Sequence, residues 1–174
     1  NAIKDQAGII EAMVDLTGSA YFAFYVGADI MDSKTNIFQL YQGGIGLGEK
    51  EYYLEDDEAT KNIREGYKAH IVKMFQLIGQ DEKQATKSME AVMEIETRLA
   101  KKSFNAVEQR NPAANYHMLT LDELKKQIPG FDWDAYISAV GVKGVTSLNV
   151  SQIEPVQEAV AIINSLPMDK QKAY

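Results

Sequence analysis

The sequence of 174 residues contains no cysteine. That excludes disulfides, a thiolate nucleophile and any zinc or iron–sulfur site that needs thiolate ligands. Histidine is nearly absent as well, with only His70 and His117. A zincin helix places two histidines on one face as H-E-x-x-H. His70 stands in KAHIVKM and His117 in NYHMLT, and neither has a glutamate beside it. His70 reads as a helix-surface or boundary residue and His117 as a loop residue bonded to backbone. Long apolar runs are missing too, and none approaches the ~20 residues of a membrane span. Positive charge is in deficit: 18 Lys+Arg stand against 25 Asp+Glu, a formal net charge of −7. Nucleic-acid binding needs a basic footprint, and no basic stripe stands out.

What is present suits one domain with a real core: 45% of residues are hydrophobic and 25% charged. KDQAGIIEAMVDLTG predicts a first helix with Ile9, Ile10, Met13, Val14 and Leu16 as its apolar face and Gly18 as its stop. The aromatic and β-branched segments at 21–28 and 35–41, separated by ADIMDSKTN, predict a hairpin. From Asp57, Ile63, Tyr67, Ile71, Met74, Phe75 and Ile78 fall on one stripe of a long amphipathic helix that Gly79 ends. Asp81 caps a second helix with Ala85, Met89, Val92, Met93, Ile95 and Leu99 on its apolar side, and the short GQD turn folds the two into an antiparallel pair. NPAANYHML reads as a loop. TLDE at 120–123 is a capping box, Asp132 caps a helix presenting Trp133, Tyr136, Ile137 and Val140, and VTSLNV is a brief extended piece. SQIE at 151–154 is a third capping-box pattern before Val156, Val160, Ile163 and Leu166. MDKQKAY reads as the opening of another helix capped by Asp169, and the chain as a segment of a longer protein. The expected fold class is mainly α: a helical bundle-like lobe with a long antiparallel helix pair and a small β hairpin near the N-terminus.

The most unusual stretch is GGIGLGEKEYYLEDDE, residues 43–58, with four glycines in six positions. A phosphate loop needs Gly-Lys-Ser/Thr after its glycines, but Gly48 is followed by Glu49 and Lys50. A dinucleotide fingerprint needs G-x-G-x-x-G, and Gly44-Ile45-Gly46-Leu47-Gly48 has the wrong spacing. A calcium loop alternates oxygen ligands, whereas Tyr52, Tyr53 and Leu54 interrupt the acidic run. The stretch therefore reads as a turn needing positive φ, followed by acidic residues that suit a helix N-terminus. Paired carboxylates are equally weak candidates. Glu94 and Glu96 point to different sides of a helix, and Glu90 and Glu94 read as solvated beside Lys87 and Arg98. There is no G-x-S-x-G elbow. Asn149-Val150-Ser151 is formally a glycosylation sequon. The residues alone thus define a mainly helical segment to which no catalytic, cofactor-binding or metal-binding residue is assigned.

The order of motifs resembles the N-terminal region of the neprilysin-like zinc endopeptidases, the family of neprilysin, endothelin-converting enzyme and bacterial oligopeptidase O. FAFYVGADIMDSKTNIFQLYQGGIGLGEKEYYL at 22–54, IETRLA at 95–100, RNP at 110–112, YHMLTLDEL at 116–124 and FDW at 131–133 carry it. Gly48 departs from the proline usual there. The resemblance implies that residues 1–174 are one segment of a covering lobe over a closed chamber, limiting access to short peptides. The zinc, its H-E-x-x-H ligands and the catalytic domain would lie elsewhere in the longer protein, so zinc is a cofactor of that protein and none is expected in this segment. Its implied partners are the catalytic lobe of the same chain and, for the whole protein, short peptide substrates, with possible self-association of the segment through apolar surface left uncovered. The implied location is extracytoplasmic, a bacterial periplasm or cell envelope. The alternative is a stand-alone helical protein–protein interaction module without enzymatic activity.

Overall fold

The computed structural model describes residues 3–16 and 20–174. The predicted stop at Gly18 lies outside the described residues. Helix α1, Gln6–Asp15, begins where the Asp5 carboxylate accepts from the Gly8 amide at 3.0 Å, and it buries Ile9, Ile10 and Met13. Strands β1, Phe22–Ala28, and β2, Asn36–Gln42, pair antiparallel with Phe22 opposite Gln42. Their connection is held by short acidic side chains: Asp29 accepts from the Met31 amide, and Asp32 from the Lys34 amide and the Thr35 hydroxyl.

The hairpin is half of a larger sheet. Strand β4, Ser147–Val150, joins β2 in parallel, and β3, Met118–Thr120, closes the order β1-β2-β4-β3. The segment VTSLNV is the extended piece that its sequence suggests. Met118 and Leu119, expected inside a loop, belong to a strand that runs to Thr120, because three residues are too few to show a period and the pairing comes from a distant partner. A chain of buried carboxamides fastens this end of the sheet. Asn149 Nδ2 donates to Gln39 Oε1 at 2.8 Å, and its Oδ1 accepts from the His117 amide at 2.6 Å. Gln152 Nε2 donates to Asn115 Oδ1, and Gln152 Oε1 accepts from the Gln42 amide. The Gln42 side chain in turn holds both polar atoms of the Phe104 backbone.

A short helix α2, Glu51–Leu54, precedes the long pair α3, Glu58–Leu77, and α4, Glu82–Lys102. Asp57 and Asp81 cap them by accepting from Thr60 and Gln84 amides, and Gly79 turns the chain at φ 96°. Helix α5, Leu121–Gln127, carries the predicted capping box between Thr120 and Glu123. Helices α6, Trp133–Ala139, α7, Ile153–Ser165, and α8, Met168–Ala173, complete the lobe. The fold class is mainly α, as its periodicities indicate.

Two caps differ from expectation. Ser151 does not open a capping box: its amide continues the sheet to Leu40 O, its hydroxyl meets Asn149 Nδ2, and Gln152 is the N-cap of α7. Asp169 is not the cap of α8. Pro167 takes that position, and Asp169 sits in the first turn paired with Lys87. The α3 stripe is also only partly inside. Ile71 is buried, but Ile63, Met74 and Ile78 are exposed.

The core lies between the sheet and α1, α4, α6 and α7, and its centre is aromatic. Phe22 meets Phe131, Trp133 and Tyr136 with ring centroids 5.3–5.6 Å apart. Trp133 anchors this cluster, and its indole N–H donates to Ile128 O at 2.9 Å. The Tyr136 hydroxyl is buried without a hydrogen-bond partner among the described residues. A buried hydroxyl left unpaired costs about 1–3 kcal/mol. Tyr136→Phe should therefore keep or raise stability, by up to about 1 kcal/mol, whereas Trp133→Ala should cost about 3–5 kcal/mol. Denaturant titration of both variants checks the order.

Candidate functional site

The glycine-rich stretch is a tight turn between β2 and α2, and one buried carboxylate stands behind it. Glu96 lies on α4 and is only 4% exposed. Its Oε1 accepts from the Gly46 amide at 3.2 Å and the Tyr67 hydroxyl at 2.9 Å, and its Oε2 accepts from the Tyr53 hydroxyl at 2.7 Å. Tyr53 Oη also receives the Leu47 amide at 2.9 Å. One side chain on α4 thereby gathers the turn, α2 and α3. A second tyrosine clamps the other side. Tyr174 Oη donates to Gly44 O at 2.6 Å and accepts from the Tyr21 amide at 3.2 Å.

The glycines answer to this crowding. Gly44 has φ 76°, and a Cβ there would strike Tyr174 Oη, the Tyr21 amide and Leu99. At Gly46 a Cβ would run into the Tyr67 hydroxyl and Glu96 Oε1. Gly48 has φ 82° but open space around it, so only its backbone angle calls for glycine. The turn borders an open cleft of about 500 Å³ lined by Ala23, Tyr41, residues 42–46, Glu96 and Tyr174.

Burial is the largest influence on Glu96 and raises its pKa, against the opposing pull of the Tyr53, Tyr67 and Gly46 hydrogen bonds. Burial likewise pushes the Tyr53, Tyr67 and Tyr174 phenols up, which keeps them protonated donors. The arrangement can hold a backbone turn by charge-assisted hydrogen bonds.

The other sequence candidates disperse. Asp57 is a helix cap, and Asp56 pairs with Lys61 and Arg64, each at 3.7 Å. Arg64 braces the α2–α3 connection through Tyr52 O and Glu55 O. His70 is exposed on α3, while His117 Nδ1 lies 2.9 Å from Val150 O at the sheet. Glu94 is not a free surface carboxylate but pairs with Lys170, and Arg98 pairs with Glu158 at 2.7 Å. Asn149 of the sequon is buried in the carboxamide chain. No group of three or more His, Asp and Glu side chains fit to hold a metal occurs among the described residues. The sequence reading weighs Glu96 only as a weak pair with Glu94, although its position signals burial: it lies four residues after Val92 and three before Leu99, inside the apolar stripe.

Three expectations follow for stability. Gly46→Ala should cost roughly 1–3 kcal/mol through overpacking, and Gly48→Ala about 1 kcal/mol through its backbone alone. Because the folded pKa of Glu96 is raised, its protonated form is the one favoured by folding; that contribution is full below the ordinary value of 4.5 and lost as pH rises through the folded value. The stability difference between Glu96→Gln and the parent chain should therefore shift toward the variant as pH rises across that window, in paired melts at matched pH.

Comparison with known proteins places this turn in a wider setting. The model for the N-terminal part of "Peptidase family M13" matches residues 1–174. Endothelin-converting enzyme 1 of Rattus norvegicus is 30% identical over 139 residues, 79% of this chain and 18% of that protein. The zinc metalloprotease ZMP1 of Mycobacterium tuberculosis, solved in complex with inhibitor, superposes with a TM-score of 0.90 at 26% identity, covering 99% of this chain and 27% of that one. The open state of the same protease gives the same TM-score of 0.90. The chain thus spans less than a third of the length of the proteins it matches.

Proposed function

The chain belongs to peptidase family M13, and from that premise we propose that it serves as part of the lobe covering a zinc site carried elsewhere in a longer peptidase, restricting that site to short peptides. The observation that carries this reading is the agreement with ZMP1 at a TM-score of 0.90 in both its inhibitor-bound and its open state. The partial open state of that protease superposes less closely, at a TM-score of 0.74, so the support lies in the shared fold over nearly the whole chain rather than in movement as a rigid body. The internal construction supports the same reading. Glu96, Tyr53, Tyr67 and Tyr174 fix the glycine turn from four sides with groups already committed to hydrogen bonds, which suits a rigid wall better than a reacting centre.

The chemistry would belong to the rest of the protein. A zinc bound there would supply a water of lowered pKa and a Lewis acid for the scissile carbonyl. The residues of this segment would supply enclosure, excluding folded proteins by size and limiting water around the reaction. In this reading the whole protein acts outside the cytoplasm. Among the described residues no helix is long and apolar enough to cross a membrane.

The test has two parts. The 174-residue chain, purified and dialysed, should hold less than stoichiometric zinc by elemental analysis and leave fluorogenic peptides intact. The polypeptide encoded by the whole source gene should carry H-E-x-x-H, cleave short peptides and spare a folded protein of similar composition. Chelator-sensitive peptidase activity in the short chain, or a source gene without that motif, would overturn the proposal.

A further inference from the structure

Helix α3 has two apolar faces, and only one is used. Ile71 packs into the small core shared with Tyr53, Val92, Met93 and Ala100, and Phe75 packs against it. The second face consists of Ile63, Gly66, His70, Met74 and Leu77, at spacings of three, four, four and three residues, while Tyr67 turns inward to Glu96. That is the spacing of a seam made for one straight helix partner rather than for a sheet or a broad core. Ile63 is 43% exposed, Met74 49%, and Leu77 71%, while the neighbouring Ile78 is 74% exposed. The strip runs about 21 Å along the helix. Gly66 lies at its edge in mid-helix, and a Cβ there would meet nothing within 4 Å. A glycine at an exposed helix interior costs about 1 kcal/mol relative to alanine. No contact inside this chain accounts for it.

The strip is self-complementary about His70. When a second α3 is laid antiparallel with its His70 over this one, Ile63 comes opposite Leu77 of the second copy. Met74 comes opposite Gly66, a long flexible side chain over a bare backbone position. Each of these pairings occurs twice, as a twofold axis requires. Lys61, Glu65 and Lys68 project from the other side of the helix, and exposed Lys73 flanks the strip beside Gly66. The exposed strip amounts to roughly 500 Å² per copy and on the order of 1,000 Å² for a pair, the floor for a specific interface. We propose that this face of α3 is a homodimer interface in which two copies of the chain pair antiparallel through Ile63, Gly66, His70, Met74 and Leu77.

The cysteine-free sequence makes the geometry directly testable. Only the residue on the twofold axis faces its own copy, so His70→Cys should oxidise to a disulfide-linked dimer in air. Glu65→Cys, on the opposite side of α3, should stay monomeric on the same gel. Sedimentation of the parent chain from micromolar to submillimolar concentration should show a reversible dimer. Leu77→Glu should weaken it roughly tenfold or more, a loss of about 1.4 kcal/mol. Leu77 is exposed, so the variant should retain the parent helical signal in circular dichroism. A chain that remains monomeric throughout that range overturns the proposal and leaves the strip to a helix from another part of the longer family proteins. Equal cross-linking of the two cysteine variants, or association unchanged by Leu77→Glu, overturns it as well.

Discussion

The whole arrangement of the turn depends on one carboxylate placed where an apolar residue would be cheaper. Glu96 sits inside the lobe with no cation among its hydrogen-bond partners; what satisfies it are two phenols and a backbone amide. An ion in such a place is stabilised only if its lone pairs are met by donors of good geometry, and each donor comes from a different element. The same requirement orients Tyr53 toward the turn, brings Tyr67 inward from α3 and leaves no room for a side chain at position 46. A leucine at position 96 would fill the space but give the turn nothing to hold. The carboxylate thus trades some stability for a single defined backbone path, in a region where four glycines would otherwise allow many.

Much of the fold was legible from residue patterns because it is built from local signals. Asp57, Asp81, Thr120 and Asp132 cap the helices they precede, and Gly79 and Gly141 stand at positive φ behind them. The hairpin strands begin and end within a residue of their predicted limits. The sheet beyond the hairpin was not legible, since β4 and β3 are three or four residues long and take their partners from far along the chain. The SQIE pattern misled for a related reason: Ser151 and Gln152 are claimed by the sheet and by Asn115 before the helix can use them. Tertiary hydrogen bonds overrode a local motif.

The candidate site divides in the same way. Motif spacing read the glycine stretch as a turn needing positive φ, and Gly44 and Gly48 adopt it. It could not say why so many glycines were needed, because the reason is Tyr174 and Tyr67 arriving from elsewhere. The family pattern adds what local chemistry cannot: a match over the full 174 residues to the N-terminal part of peptidase family M13. It also frames α3, whose stripe reads from sequence as one buried face and proves to be two, one packed on α4 and one open.

The parallel pairing of β2 with β4 has a bearing on how the chain reaches this structure. Gln39 and Asn149, joined by a buried hydrogen bond across that pair, stand 110 residues apart, and so do Gln42 and Gln152. The α3–α4 hairpin needs only its own contiguous residues and is poised to form early. The centre of the sheet cannot close until residues 147–150 have left the ribosome. Until then β2 emerges with one edge unpaired, carrying Ile37, Phe38 and Leu40 without the helices that will cover them. The interval between synthesis of Gln42 and Ser147 is therefore the period in which the nascent chain is most exposed to mispairing, and in which a holdase would find its clearest target.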